Sequence, residues 1–168
     1  MVLILGLISS IHPVYALNDT ASSSIVMDIS SGRILYEKNS HSQRLIASTT
    51  KIMTCILAIE NGNLDDTVQV GEEVLKMYGS NIYLELGEKM TLKDLLYGMM
   101  LRSGNDAATV IATYIGKDQE TFVEMMNQKA KEIGMRDTIF RNPTGLDDYE
   151  ENYSTAYDMA LLSKYAYQ

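Results

Sequence analysis

Cysteine, histidine and positive charge are all scarce in this 168-residue sequence. A single cysteine, Cys55, excludes an internal disulfide. It lies inside an apolar run and reads as a small core residue rather than a reactive thiol. The two histidines, His12 and His41, are too few for a zinc site or a histidine-based triad. His41 sits among serine, asparagine and glutamine and is expected to be solvated. Fourteen basic residues against 22 acidic ones give a net charge of -8, with no lysine–arginine cluster. That balance excludes nucleic acid as a partner, because phosphate binding needs a basic face. There is no Gly-x-x-x-x-Gly-Lys loop and no Gly-x-Gly-x-x-Gly turn, so a nucleotide cofactor is not expected, and no other cofactor or metal is implied.

What is present is the composition of one globular domain, or part of one: 46% hydrophobic and 21% charged residues. Residues Val2 to Ile11 are nearly all apolar, and Val14-Tyr15-Ala16 places small or branched residues where a signal peptidase cuts. The run is too short to span a bilayer, which needs ~20 residues. Residues 1–16 therefore read as a secretory signal peptide, although no lysine or arginine precedes the run; the alternative is a buried N-terminal strand.

Ser23–Ile29 and Arg33–Glu37 are short β-prone runs joined by Ser30-Ser31-Gly32, a hairpin pattern. The run from Ile52 to Ile59 is apolar on every side and predicts a helix buried all round, stopped at Asn61-Gly62. Asp65–Tyr78 reads as a short polar helix or turn, and Gly79–Lys89 as a loop. Thr91 and Asp94 form a capping box for a helix carrying Leu92, Leu95, Leu96, Met99 and Met100. A polar turn, Arg102 to Asp106, separates it from an apolar helix ending at Gly116. An amphipathic helix with Phe122, Met125, Met126 and Ile133 on one face follows, closed by Gly134. Asn142-Pro143-Thr144-Gly145 signals a turn. Ser154-Thr155 caps a last helix, from Ala156 through Leu162 to Tyr165.

Chemistry concentrates at the start of the Ile52 helix. Ser48 and Lys51, three apart, lie one turn apart on the same face. A hydroxyl beside an amine is a nucleophile beside a base. The positive end of the helix dipole and burial both favour the neutral amine, which lowers the lysine pKa toward the range a general base requires. A Ser-x-x-Lys spacing arises by chance about 0.5 times in a chain of this length, so its context carries the weight. The second candidate is Ser103-Gly104-Asn105, which projects two polar side chains from between two apolar helices. Taken alone, that turn reads as a helix C-cap followed by a new N-cap.

Ser48-Thr49-Thr50-Lys51 and Ser103-Gly104-Asn105, in this order and each at a helix terminus, resemble the motifs of the serine-type D-alanyl-D-alanine carboxypeptidases. These are low-molecular-mass penicillin-binding proteins, peptidase family S11. The resemblance extends over residues 20–168 and includes Val26-Met27-Asp28, Gly32-Arg33-Ile34-Leu35-Tyr36, Leu95-Leu96-Tyr97-Gly98, Asn142-Pro143-Thr144-Gly145-Leu146 and Ser154-Thr155-Ala156-Tyr157-Asp158-Met159-Ala160. It implies an α+β, β-lactamase/transpeptidase-like fold, with residues 17–168 supplying the N-terminal hairpin and helical subdomain.

By the same resemblance Ser48 is the acylated nucleophile, Lys51 its general base, Ser103 a proton relay to the leaving amine, and Asn105 a contact to the peptide's backbone amide. The implied substrate is a peptidoglycan stem peptide ending in D-Ala-D-Ala. β-Lactams would acylate the same serine, and the protein would act in the cell envelope, attached to the membrane through a C-terminal segment where the family has one. The family's Lys-[Ser/Thr]-Gly motif, on a later strand that supplies an oxyanion-hole donor, does not occur here. Loss of one such donor costs roughly 3 kcal/mol in other hydrolases. The sequence is therefore expected to be the N-terminal portion of a longer protein or a truncated product, with C-terminal sheet strands missing and inactive by itself. The competing reading is an inactive copy or a penicillin-sensing module. A class A β-lactamase ranks lower, because no deacylating glutamate stands out.

Overall fold

A computed structural model describes residues 18–146 and 150–168. The expected signal peptide, residues 1–16, lies outside them. The chain begins with an antiparallel hairpin, β1 (Ser24–Met27) and β2 (Ile34–Lys38), in which Ile25 faces Glu37 and Val26 faces Tyr36. Its turn is held by Asp28, whose carboxylate accepts the Ser31 N–H and the Ser30 and Ser31 hydroxyls. Those hydrogen bonds favour the ionised form and bring Asp28 down to about 2.

Two more strand pairs are very short. β3 (Arg44–Leu45) pairs with β6 (Tyr153–Ser154), and β4 (Thr67–Gln69) with β5 (Lys89–Thr91). β3 follows the polar stretch that holds His41. Of the second pair, β4 falls inside the stretch expected to be a short polar helix or turn, where Glu72–Lys76 adds a 3-10 turn, and β5 runs from the last residue of the expected loop to the expected cap Thr91. Pieces of two or three residues leave no readable alternation, so only tertiary pairing creates them.

Among the described residues five helices build the body: α1 (Lys51–Asn61), α2 (Leu92–Arg102), α3 (Asn105–Gly116), α4 (Gln119–Ile133) and α5 (Ala156–Ala166). Their starts are encoded locally. Thr91, Asp118 and Thr155 each accept the N–H of the residue three positions on, which satisfies a donor the helix leaves unpaired. Gly134, at φ +91°, ends α4 in a conformation other residues adopt at a cost.

The central helix is α3, not α1. Every residue from Asn105 to Ala112 is buried, and the small Ala107, Ala108 and Ala112 allow close approach of α1, α2 and α4. α1 was expected to be apolar and buried on all sides, yet Ile59 is 55% exposed and Ile52 and Cys55 are half-buried. Its apolar composition exceeds what its neighbours cover. One core packs Leu92, Leu95 and Met99 of α2 against α3 and Val68. The other joins Met53 and Leu57 of α1 to Phe122 and Met126 of α4 and Leu162 of α5. Each fully buried side chain of this kind contributes ~1.5–3 kcal/mol. Both cores meet along α3, and the N-termini of α1 and α3 meet at the site.

Candidate active site

Ser48 lies in a 3-10 turn, Ala47–Thr50, that runs directly into α1. The nucleophile candidate thus precedes the helix, and Lys51 is the first helical residue. Ala47 is held at φ +45°, a left-handed conformation that costs a non-glycine residue about 1–3 kcal/mol. The 142–146 loop lies against it. A Cβ on Gly145, itself at φ +85°, would fall 1.9 Å from the Ala47 carbonyl oxygen and 2.9 Å from the Ser48 nitrogen. Only glycine fits there, so the turn carrying Ser48 and the loop are closed onto one another.

The four residues singled out in the sequence converge. Lys51 Nζ lies 3.2 Å from Ser48 Oγ and 2.8 Å from Asn105 Oδ1, and Ser103 Oγ lies 3.0 Å from Ser48 Oγ. Ser48 is exposed, whereas Lys51 is 2% exposed and Asn105 3%. Ser103 reaches Ser48 from a left-handed C-cap position of α2, at φ +56°. Burial penalises the ammonium form and brings Lys51 down to about 8. The expectation of a depressed lysine therefore holds, with desolvation as the cause.

Asn105 has a position that the motif alone did not reveal. Its side chain is engaged internally, accepting from Lys51 and donating through Nδ2 to the Tyr78 carbonyl at 2.8 Å, while its backbone N–H donates to Ser80 O at 2.7 Å. Asp106 fastens the same loop: its carboxylate accepts the N–H groups of Ile82, Leu84 and Ala107. A third acceptor for the lysine was also missed. Thr144 O lies 2.7 Å from Lys51 Nζ, and Pro143 O accepts Thr54 Oγ1 of α1 at 2.8 Å. The Asn-Pro-Thr-Gly turn was legible as a turn, but nothing in its residue types marks a carbonyl as a partner of a buried lysine.

The arrangement is a nucleophilic hydroxyl flanked by a buried amine and a second hydroxyl. Acyl transfer through a serine ester is the chemistry such a set performs. Residues 12–168 match the family model described as D-alanyl-D-alanine carboxypeptidase, Peptidase_S11. The chain belongs to the S11 peptidase family.

Among S11 relatives, the chain is 45% identical over 149 residues to D-alanyl-D-alanine carboxypeptidase DacF of Bacillus subtilis, covering 86% of this chain and 38% of that protein. It is 39% identical to DacD of Escherichia coli, covering 86% of this chain and 40% of that protein. The crystal structure of the D-alanyl-D-alanine carboxypeptidase DacD from Francisella tularensis superposes with a TM-score of 0.85 at 41% identity, over 92% of this chain and 38% of that one. Penicillin binding protein 5 from Haemophilus influenzae gives 0.83 at 32% identity, over 91% and 46%. The chain thus has the α+β fold of these enzymes over the matched portion, and spans about two fifths of the curated relatives' length. Among the described residues no cluster of His, Cys, Asp and Glu is placed to hold a metal ion, and no helix is long and apolar enough to cross a membrane.

Proposed function

We propose that the protein of which this chain forms part is a serine-type D-Ala-D-Ala carboxypeptidase that trims peptidoglycan stem peptides through an acyl-enzyme on Ser48. The observation that carries this reading is the Lys51 amine, buried and lowered to about 8, 3.2 Å from the hydroxyl of an exposed serine. Neutral Lys51 takes the Ser48 proton as Oγ attacks the carbonyl carbon of the penultimate D-alanine. The tetrahedral intermediate collapses, the C–N bond breaks, and the leaving amine of the terminal D-alanine receives a proton through Ser103, whose hydroxyl is 3.0 Å from Ser48 Oγ. Water then hydrolyses the ester and frees Ser48. The assignment of Asn105 to the substrate's backbone amide rests on the family resemblance, while its internal partners support a second task, holding Lys51.

A β-lactam presents a strained amide to the same serine and forms an ester that blocks it. Action outside the cytoplasm is supported by the apolar run at Val2–Ile11 with its Val14-Tyr15-Ala16 site. Membrane attachment is proposed for the complete protein on the family resemblance alone.

The test uses the protein expressed from its complete reading frame. Incubation with a fluorescent penicillin is expected to give a covalent adduct mapped by peptide mass to Ser48. Release of D-alanine from a D-Ala-D-Ala pentapeptide is expected as well, with both lost in Ser48→Ala. An adduct without release supports a penicillin-sensing module instead. No adduct on folded protein rejects the acyl-enzyme reading.

A further inference from the structure

Of the two acceptors that hold the Lys51 amine apart from Ser48, one is a side chain of a recognised motif and the other is a backbone carbonyl. A carbonyl is only as well placed as the loop that carries it. Asn142 shapes that loop from within, its Oδ1 accepting the Thr144 N–H and hydroxyl at 3.0 Å each and the Gly145 N–H at 2.7 Å. None of these bonds ties the loop to the turn bearing Ser48 and Lys51.

Asn152 does. It is completely buried. Its Oδ1 accepts the N–H of Arg141 at 2.7 Å and of Asn142 at 3.1 Å. Its Nδ2 donates to Asn142 O at 3.0 Å and to Thr50 Oγ1 at 2.9 Å. Thr50 is itself fully buried and immediately precedes Lys51. One side-chain amide therefore holds the start of the loop by both backbone groups of Asn142 and fastens it to the turn that presents the base.

We infer that Asn152 is a positioning residue for the Lys51 base, acting through the Thr144 carbonyl. The inference rests on the acyl-transfer reading of Ser48 and Lys51. A neutral amine has two N–H bonds and one lone pair in a tetrahedral arrangement. Asn105 Oδ1 at 2.8 Å and Thr144 O at 2.7 Å take the two N–H bonds, which leaves the lone pair directed to the third neighbour, Ser48 Oγ at 3.2 Å. With Thr144 O displaced, the amine turns about its Cε–Nζ bond and the lone pair no longer stays on the serine proton. A reacting group misplaced by ~1 Å loses on the order of 100-fold in rate.

The test is single-turnover acylation of the complete protein by a fluorescent penicillin over a range of concentrations. It separates the plateau rate constant, the half-saturating concentration and the labelled fraction. Asn152→Ala is expected to lower the plateau constant by about 10- to 100-fold with half-saturation unchanged. Thr50→Val, which removes only the link between Asn152 and the turn, is expected to lower it in the same sense by a smaller factor. It decides the matter if Asn152→Ala does not fold. A merely structural residue changes the labelled fraction and leaves the plateau constant of the folded molecules intact, and that result in folded variants overturns the inference while the acyl-enzyme reading stands. A native protein that forms no adduct overturns both.

Discussion

Lys51 Nζ and the carbonyl oxygen of Thr144, 93 residues apart in the chain, are 2.7 Å from each other in the fold. The partner is a dipole and not a charge, and the difference matters. A carboxylate at this distance would favour the ammonium and raise the lysine pKa. A carbonyl satisfies an N–H of the buried amine in either protonation state, so desolvation prevails and the group titrates at about 8. The amide of Asn105 on the other side is also uncharged.

That electrostatic design has a direction with pH. Below about 8 Lys51 is mostly ammonium and has no lone pair to receive the serine proton; above it the amine is neutral. The acylation rate constant is expected to rise about tenfold per pH unit below that value and to level off above it. Stopped-flow labelling with a fluorescent penicillin between roughly pH 6 and pH 9 measures this. A flat profile would assign the base role elsewhere.

Gly145→Ala places a methyl group 1.9 Å from the Ala47 carbonyl, on a backbone at φ +85°. Loop and turn must separate, and Ser48 moves with the turn. Thermal unfolding is expected to show a loss of about 2–4 kcal/mol. Acylation in the surviving fold should slow by about 100-fold.

Asp106→Ala leaves the N–H groups of Ile82, Leu84 and Ala107 without their carboxylate acceptor. Each unsatisfied buried donor costs about 1–3 kcal/mol, less where water replaces the carboxylate. The 78–84 loop is expected to become the first site of limited proteolysis, with Asp106→Asn intermediate. Equal cleavage patterns in native and variant protein would show that the loop is held by other contacts.

Ser103 occupies a left-handed C-cap at φ +56°, where glycine is the residue of choice. Ser103→Gly should raise stability by up to about 1 kcal/mol while removing the hydroxyl next to Ser48. A more stable and slower protein is expected, measured by denaturant unfolding and by D-alanine release. A variant both stable and fully active would exclude Ser103 from proton transfer.

Much of this site was legible from residue spacing, because two of its parts are local. Ser48 and Lys51 are one turn apart, and Ser103 and Asn105 flank one break between apolar helices. The caps at Thr91 and Thr155 were legible for the same reason. What joins the parts was not. Thr144 acts through a carbonyl, which every residue possesses, and Asn152 sits in a polar run with nothing to distinguish it from a solvated loop residue. The central position of α3 was hidden too: α1 has the longer apolar run, but small side chains, not hydrophobicity, let three neighbours close around one helix. His41, read as solvated, is exposed and nevertheless lies with its ring 4.7 Å from that of Tyr157, a contact made only when α5 docks.

The partners of Lys51 come from Ser48, Asn105 and Thr144, so the amine acquires its lowered pKa only after segments far apart in the chain have closed around it. Until then it is a hydrated lysine with a pKa near 10.4. Such long-range closures are slow relative to helix formation. During synthesis, helices α1 to α4 can form while Lys51 is still an ordinary, charged lysine. The lowered pKa arrives last, as a property of the closed chain and not of the dipole of any one helix.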